Sequence, residues 1–311
     1  MNIYEQIKKN NINTWVIITG FIVLLLCIGM GFDYFYGPRI GFPMFTTIAL
    51  MIGVISSYSG YMYGDTLVIS STQAREPNPD DPKEKQWQDV VAEMSIAAGL
   101  PLPKTYVVDD ADPNAFATGR DPEHSSIVAT RGLLDILNRE ELQAVASHEM
   151  SHIRNFDTRV LLIVAVLVGS VSLLASWAGR MLFWGSGDRD RKNGGAAAVV
   201  MMVLWLIAII MAPILSQMIA MCVSRKREYL ADASGAELTR NPTALASALE
   251  KIEANYQPSK MINQGTSHLC IADPLNKPIG SQEGWFADLF ATHPPIAKRI
   301  AILRQMAYQQ K

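Results

Sequence analysis

The sequence has little cysteine and little charge. Its three cysteines, Cys27, Cys222 and Cys270, are far apart and two of them sit inside apolar runs, which leaves no disulfide framework and no CxxC metal site. Charged residues make up 18% of the 311 positions and the formal net charge is -2, with no interleaving of aromatic and basic residues, so the electrostatic footprint of a nucleic-acid binder is missing. No small-residue cleavage site follows the first apolar run, which therefore reads as a retained helix and not as a removed signal. What takes the place of charge is apolar: 49% of the residues, with positive mean hydropathy, more than a soluble domain of this length needs. Membrane segments are the expected cause.

The apolar residues fall into four runs. Trp15 to Gly31, preceded by Lys8 and Lys9, and the uncharged stretch from Ile40 to about Gly60 form an N-terminal transmembrane hairpin, residues 1–63. Val160 to Gly179 carries no charge, and neither does Ala196 to Val223, where Pro213 marks a kink; together they form a second hairpin, residues 159–223. The polar stretches 64–158 and 224–311 then read as two parts of one catalytic domain. Lys8 and Lys9 argue for a cytoplasmic N-terminus, and four crossings return both parts to that side, although Arg180, Arg189, Arg191 and Lys192 in the loop between the last two runs pull the other way.

Within the first polar part, Pro77, Asp80, Asp81 and Pro82 mark a linker, and Val90, Val91, Met94 and Ile96 give helical spacing from Trp87 to Ala98. Three β signals follow, Thr105 to Val108, Ala115 to Thr118 and Ser126 to Thr130, and predict a small antiparallel sheet. Asn138 with Glu141 is a capping-box pattern that starts a helix through His148-Glu149-Met150-Ser151-His152. This HExxH puts two imidazoles on one helical face, one turn apart, within reach of a single ion, and leaves Glu149 beside it as a base. His152 lies eight residues before Val160 and Glu228 five after Val223. Continuous helices would hold them about 12 Å and 7.5 Å from the same bilayer face, so the second hairpin brings the two segments together.

These residues resemble the HtpX family of membrane zinc endopeptidases, relatives of the CAAX prenyl proteases, over nearly the whole chain. The motifs carrying the resemblance are the HExxH, Glu228-Tyr229-Leu230-Ala231-Asp232, Pro113-Asn114-Ala115-Phe116-Ala117-Thr118-Gly119 and Thr292-His293-Pro294-Pro295. It implies one Zn2+ per chain with Glu228 as third ligand beside His148 and His152, Glu149 as general base, and hydrolysis of internal peptide bonds in misfolded or damaged membrane and cytoplasmic proteins. It also implies a bacterial-type inner-membrane, multi-pass protein whose catalytic domain faces the cytoplasm. The fold expected is mainly α: four transmembrane helices and a zincin-like α+β metalloprotease domain.

Several residues keep two readings. Asp157 and Asp232 compete with Glu228 as ligand, and Asp232, four residues further on the same face, is otherwise placed to orient a ligating histidine through its second ring nitrogen. Asn114, Ala115, Phe116 and Ala117 form either an ordinary strand or an exposed edge that pairs with an extended substrate. His293 either helps to start the last helix, capped by Thr292, or it, or Arg299 in its place, is a donor to the developing oxyanion. His124 and His268 have no partner motif. An intramembrane protease is disfavoured because Arg139, Glu140, Glu141, Arg154 and Asp157 bracket the HExxH. A membrane scaffold that binds zinc without hydrolysis has no need of Glu149.

Overall fold

The computed structural model describes residues 3–36, 42–164, 167, 225–262, 266–272, 274 and 294–309. Two long helices, α1 (Ile3–Tyr36) and α2 (Met44–Ser71), run antiparallel, with Gly29 against Thr46 and Ala49 and Gly53 against Leu25 and Ile22. Asp33 closes the hairpin: its carboxylate accepts from Phe45 N at 3.0 Å and Thr46 N at 2.8 Å, two donors that the start of α2 leaves free. Among the described residues one helix, α2, is long and apolar enough to cross a membrane. It runs on to Ser71, and its last turns join the region of the sheet, where Val68 and Ile69 pack against Val108, Phe116, Val128 and Leu162. The third and fourth apolar runs lie outside the described residues beyond 164, Leu167 excepted.

The sheet differs from the expected one. Its strands, β1 (Lys104–Val108), β2 (Ala115–Asp121) and β3 (His124–Thr130), lie in the order β1-β3-β2, with β3 antiparallel to β2 but parallel to β1. The sheet is mixed because the 109–114 connector carries the chain past one strand position, about 9.6 Å, and the tight β2–β3 turn then fills the gap. The connector is pinned over the end of the sheet. Asp110 accepts from Ser259 Oγ and from the backbone N–H groups of Asp112, Lys260 and Met261, and its C=O accepts from Gly132 N. Those bonds overcome burial and hold the Asp110 carboxyl below its usual range.

Helix α3 (Pro82–Ala98) begins five residues before the apolar spacing does, because Asp81 accepts from Lys83 N and Glu84 N and Pro82 suits the first turn. After α4 (Arg131–Ile136) comes α5 (Arg139–Arg154), with the expected capping box: Glu141 N donates to Asn138 Oδ1 and Asn138 N to Glu141 Oε2, both 2.9 Å. Glu141 also accepts from Lys251 Nζ and Ser247 Oγ of α7 (Pro242–Ala254). One core holds these elements together, with Trp87 and Val91 of α3, Ile127 of β3, Leu142 and Met150 of α5, Leu245 and Leu249 of α7 and Leu303 of α8 (Ile296–Gln309).

The helix carrying HExxH does not continue unbroken towards the third apolar run, in contrast to the continuous helix expected from the sequence. It stops at Asn155, Phe156 takes a left-handed conformation with φ 58°, and a new helix occupies 157–164. A left-handed residue cannot propagate a right-handed helix. On a continuous helix Asp157 would point about 140° away from His152; the break folds it back beside that ring.

Helix α6 (Arg225–Thr239) crosses α5 at its first histidine. A Cβ added to Gly235 would come within 3.0 Å of His148 N and 3.2 Å of His148 Cα, so backbone meets backbone there. Glu228, Asp232 and Gly235, at i, i+4 and i+7, share the face that meets α5. Gly132 is equally confined, since an added Cβ would come within 2.1 Å of Ala111 O. Gly235→Ala and Gly132→Ala should each cost about 1–3 kcal/mol through overpacking against backbone, read as a lower melting temperature of the detergent-solubilised chain.

Candidate metal centre

His148, His152 and Glu228 bring one ligand atom each into a group in which all lie within 4.8 Å of one another, and all three residues are buried. The two Nε2 atoms are 3.2 Å apart, and Glu228 Oε2 and Oε1 stand 3.7 and 3.6 Å from those of His148 and His152. Neither ring is free to turn. His148 Nδ1 lies 3.0 Å from Asp232 Oδ1, and His152 Nδ1 3.2 Å from Asp157 Oδ2, so each ring is approached from behind by a carboxylate and presents Nε2 inward.

Both carboxylates are anchored in turn. Arg299, fully buried on α8, donates to Asp232 Oδ2 through Nε at 2.8 Å and to Oδ1 through Nη2 at 2.7 Å, and fixes itself on Ile271 O through Nη1 at 2.9 Å. Asp157 lies 3.4 Å from Arg227 Nη1 and accepts from Asn10 Nδ2 of α1 at 2.7 Å. Burial opposes the charge on Asp232, but Arg299 and His148 outweigh it and hold the carboxyl at about 2. Burial prevails at His148 and lowers its pKa despite Asp232. At His152 burial is outweighed by the Asp157 hydrogen bond and the charges of Glu228, Asp157 and Glu149, which raise it to about 9.

Glu149 is 1% exposed, and burial raises its pKa to about 7. Glu149 stands against the Ala117 N–H of β2, and among the described residues its Oε2 has no hydrogen-bond partner. β2 is an edge strand by pairing, with Ala115 and Ala117 turning their backbone groups outward, yet Ala115 to Gly119 are all buried and not exposed. Part of that edge is taken by the chain itself: Ile271 N donates to Ala115 O at 2.9 Å, and Phe116 forms a bridge with Cys270. Asn114 fastens this segment, donating to Ala272 O at 2.9 Å and to Asp112 Oδ2 at 3.2 Å.

The residues singled out in the sequence thus fall into distinct positions. His148, Glu149, His152 and Glu228 come together; Asp232 and Asp157 stand behind the two rings; Arg299 holds Asp232 with one nitrogen 3.5 Å from His148 Nε2; His293 lies outside the described residues. Asn10 and Arg227, which touch Asp157, carry no sequence signal: one is among several polar residues ahead of an apolar run and the other one of three consecutive basic residues. Two imidazole nitrogens and a carboxylate, buried and convergent, with both outer nitrogens engaged, fit a divalent ion of the zinc type.

The model of peptidase family M48 matches residues 81–307. A protease HtpX homolog from Dictyoglomus turgidum is 41% identical over 310 residues, covering 99% of this chain and 96% of its own, and one from Tropheryma whipplei is 40% identical over 306 residues, covering 98% and 99%. A Streptococcus gordonii homolog is 38% identical over 308 residues, 98% of this chain and 100% of its own. The crystal structure of S. mikatae Ste24p has a TM-score of 0.52 at 16% identity, covering 97% of this chain and 66% of the longer one, a likeness of fold. Family match, full-length relatives and fold agree with the site, and the chain belongs to peptidase family M48, within its HtpX group of membrane metalloproteases.

Proposed function

We propose that this chain is a zinc endopeptidase anchored in the membrane by four helices, with its catalytic domain facing the cytoplasm, that cuts misfolded or damaged membrane and cytoplasmic proteins. The observation that carries the reading is the buried convergence of His148, His152 and Glu228 with Glu149 one residue along the same helix. These three would hold one Zn2+. When bound, zinc would lower the pKa of a water beside it and polarise the scissile carbonyl.

Glu149 takes the proton of the attacking water and returns it to the leaving amine. Its place suits that task, because it lies one residue along the helix from His148 and is buried away from bulk water. His148 and His152 keep their Nε2 atoms inward because Asp232 and Asp157 engage the opposite nitrogens. An extended peptide would pair with the outer edge of β2 beyond the stretch that meets Ile271, at the Ala117 carbonyl, since the Ala117 N–H faces Glu149; such pairing suits substrates recognised by backbone and not by sequence. Asn114 supports this indirectly, by fixing Ala272. His293 is proposed as a donor to the oxyanion. A non-catalytic scaffold would gain nothing from burying Glu149 against Ala117.

Purified Glu149→Gln should bind zinc like the wild type and cleave an unfolded protein at least about a hundredfold more slowly, the lower end of the range for loss of a general base; equal cleavage removes Glu149 from the role. Glu228→Ala should lose stoichiometric zinc by metal analysis while the chain stays folded, and retained metal would shift the third ligand elsewhere. In the zinc-free chain a carboxyl raised to about 7, against 4.5 in the unfolded state, favours the folded state below pH 4.5 and loses that contribution as pH rises through 7. The melting temperature of zinc-free Glu149→Gln should therefore rise relative to zinc-free wild type between pH 5 and pH 8.

A further inference from the structure

Asn10 sits in α1, five residues or about 7.5 Å ahead of the apolar run that starts at Trp15, and is 1% exposed. Its Nδ2 donates to Asn155 O at 2.8 Å and to Asp157 Oδ1 at 2.7 Å. Those acceptors lie on either side of Phe156, so one amide clamps both ends of the break between the HExxH helix and the helix at 157–164. Both partners are acceptors, which requires the NH2 and not the carbonyl to face them. The other oxygen of Asp157 stands 3.2 Å from His152 Nδ1.

We propose that Asn10 is a positioning residue of the metal site. By holding Asp157 it sets the angle of the His152 ring, so the first membrane helix takes part in the catalytic centre as well as anchoring it. A neutral amide suits the position: it satisfies a buried carboxylate without cancelling the negative charge that His152 uses, as a second cation beside Arg227 would. Docking of α1 does not account for the arrangement, because the next residue supplies it. Asn11 Oδ1 accepts from Arg159 Nη1 at 2.8 Å, and the Arg159 guanidinium lies 4.5 Å from the Phe156 ring. The proposal rests on the zinc reading given above.

The test uses the full-length chain in detergent, with zinc affinity measured by competition with a chromophoric chelator and kinetics on an unfolded protein. Asn10→Ala should weaken zinc binding about tenfold, the range seen when a group behind a ligating histidine is lost, and lower kcat with KM little changed. Asp157→Ala should do at least as much, and Asn10→Ala added to it should do nothing further, because the amide acts through that carboxylate. Asn11→Ala should lower the melting temperature and leave zinc affinity unchanged. Asn10→Ser, which keeps one donor, should fall between wild type and Asn10→Ala, and serves where the alanine variant does not fold.

Zinc bound equally by wild type and Asn10→Ala overturns the proposal alone. So does an Asn10→Ala effect that persists in full on the Asp157→Ala background, or an equal loss of zinc in Asn11→Ala. A wild-type chain that takes up no zinc overturns the metal reading and this proposal with it.

Discussion

Two imidazoles that must point the same nitrogen at one place need something behind each of them, and this chain is arranged to supply it. Asp232 stands behind His148 and Asp157 behind His152, and neither carboxylate is left to water. Because a buried carboxylate needs a donor of its own, each draws in another part of the chain. Arg299 comes from α8 to Asp232, and Arg227 of α6 and Asn10 of α1 come to Asp157. The layout of the helices follows from that requirement: α6 must cross α5 closely enough for Gly235 to touch the His148 backbone, and α5 must break at Phe156 for Asp157 to turn back.

The parts of the site that share one helix were legible in the sequence. HExxH is a spacing on a single element, the Asn138 and Glu141 capping box sets that element's start, and both are local. Glu228 and Asp232 were legible as a pair four residues apart, but their place beside α5 depends on a crossing that no periodicity encodes. The parallel pairing of β1 with β3 was not legible, because three short apolar alternations say where strands are and nothing about their order. The break at Phe156 was missed for a related reason. An aromatic residue with positive φ is unusual, and the turn is held by Asn10, far away in sequence.

The centre is polar, buried and crowded with charge, yet each charge is accounted for. Arg299 adds a cation within 3.6 Å of Glu228 while neutralising Asp232, so a site with three carboxylates around two imidazoles is not left with a large net negative field. Glu149 is the exception. Burial dominates there and raises its carboxyl to about 7, whereas Arg299 and His148 hold that of Asp232 at about 2.

The position of Arg299 along the chain also sets an order of events. Asp232 receives its two hydrogen bonds from a residue that follows every apolar run, including residues 160–224, and the same guanidinium holds the Ile271 carbonyl beside β2. During synthesis the HExxH helix, with its own cap, can fold long before Glu228 or Arg299 has been translated. The nascent chain therefore carries the recognisable motif without a working centre. Proteolytic competence arrives late, only once Glu228 and Arg299 have both been made, which keeps the peptidase inert through most of its own synthesis.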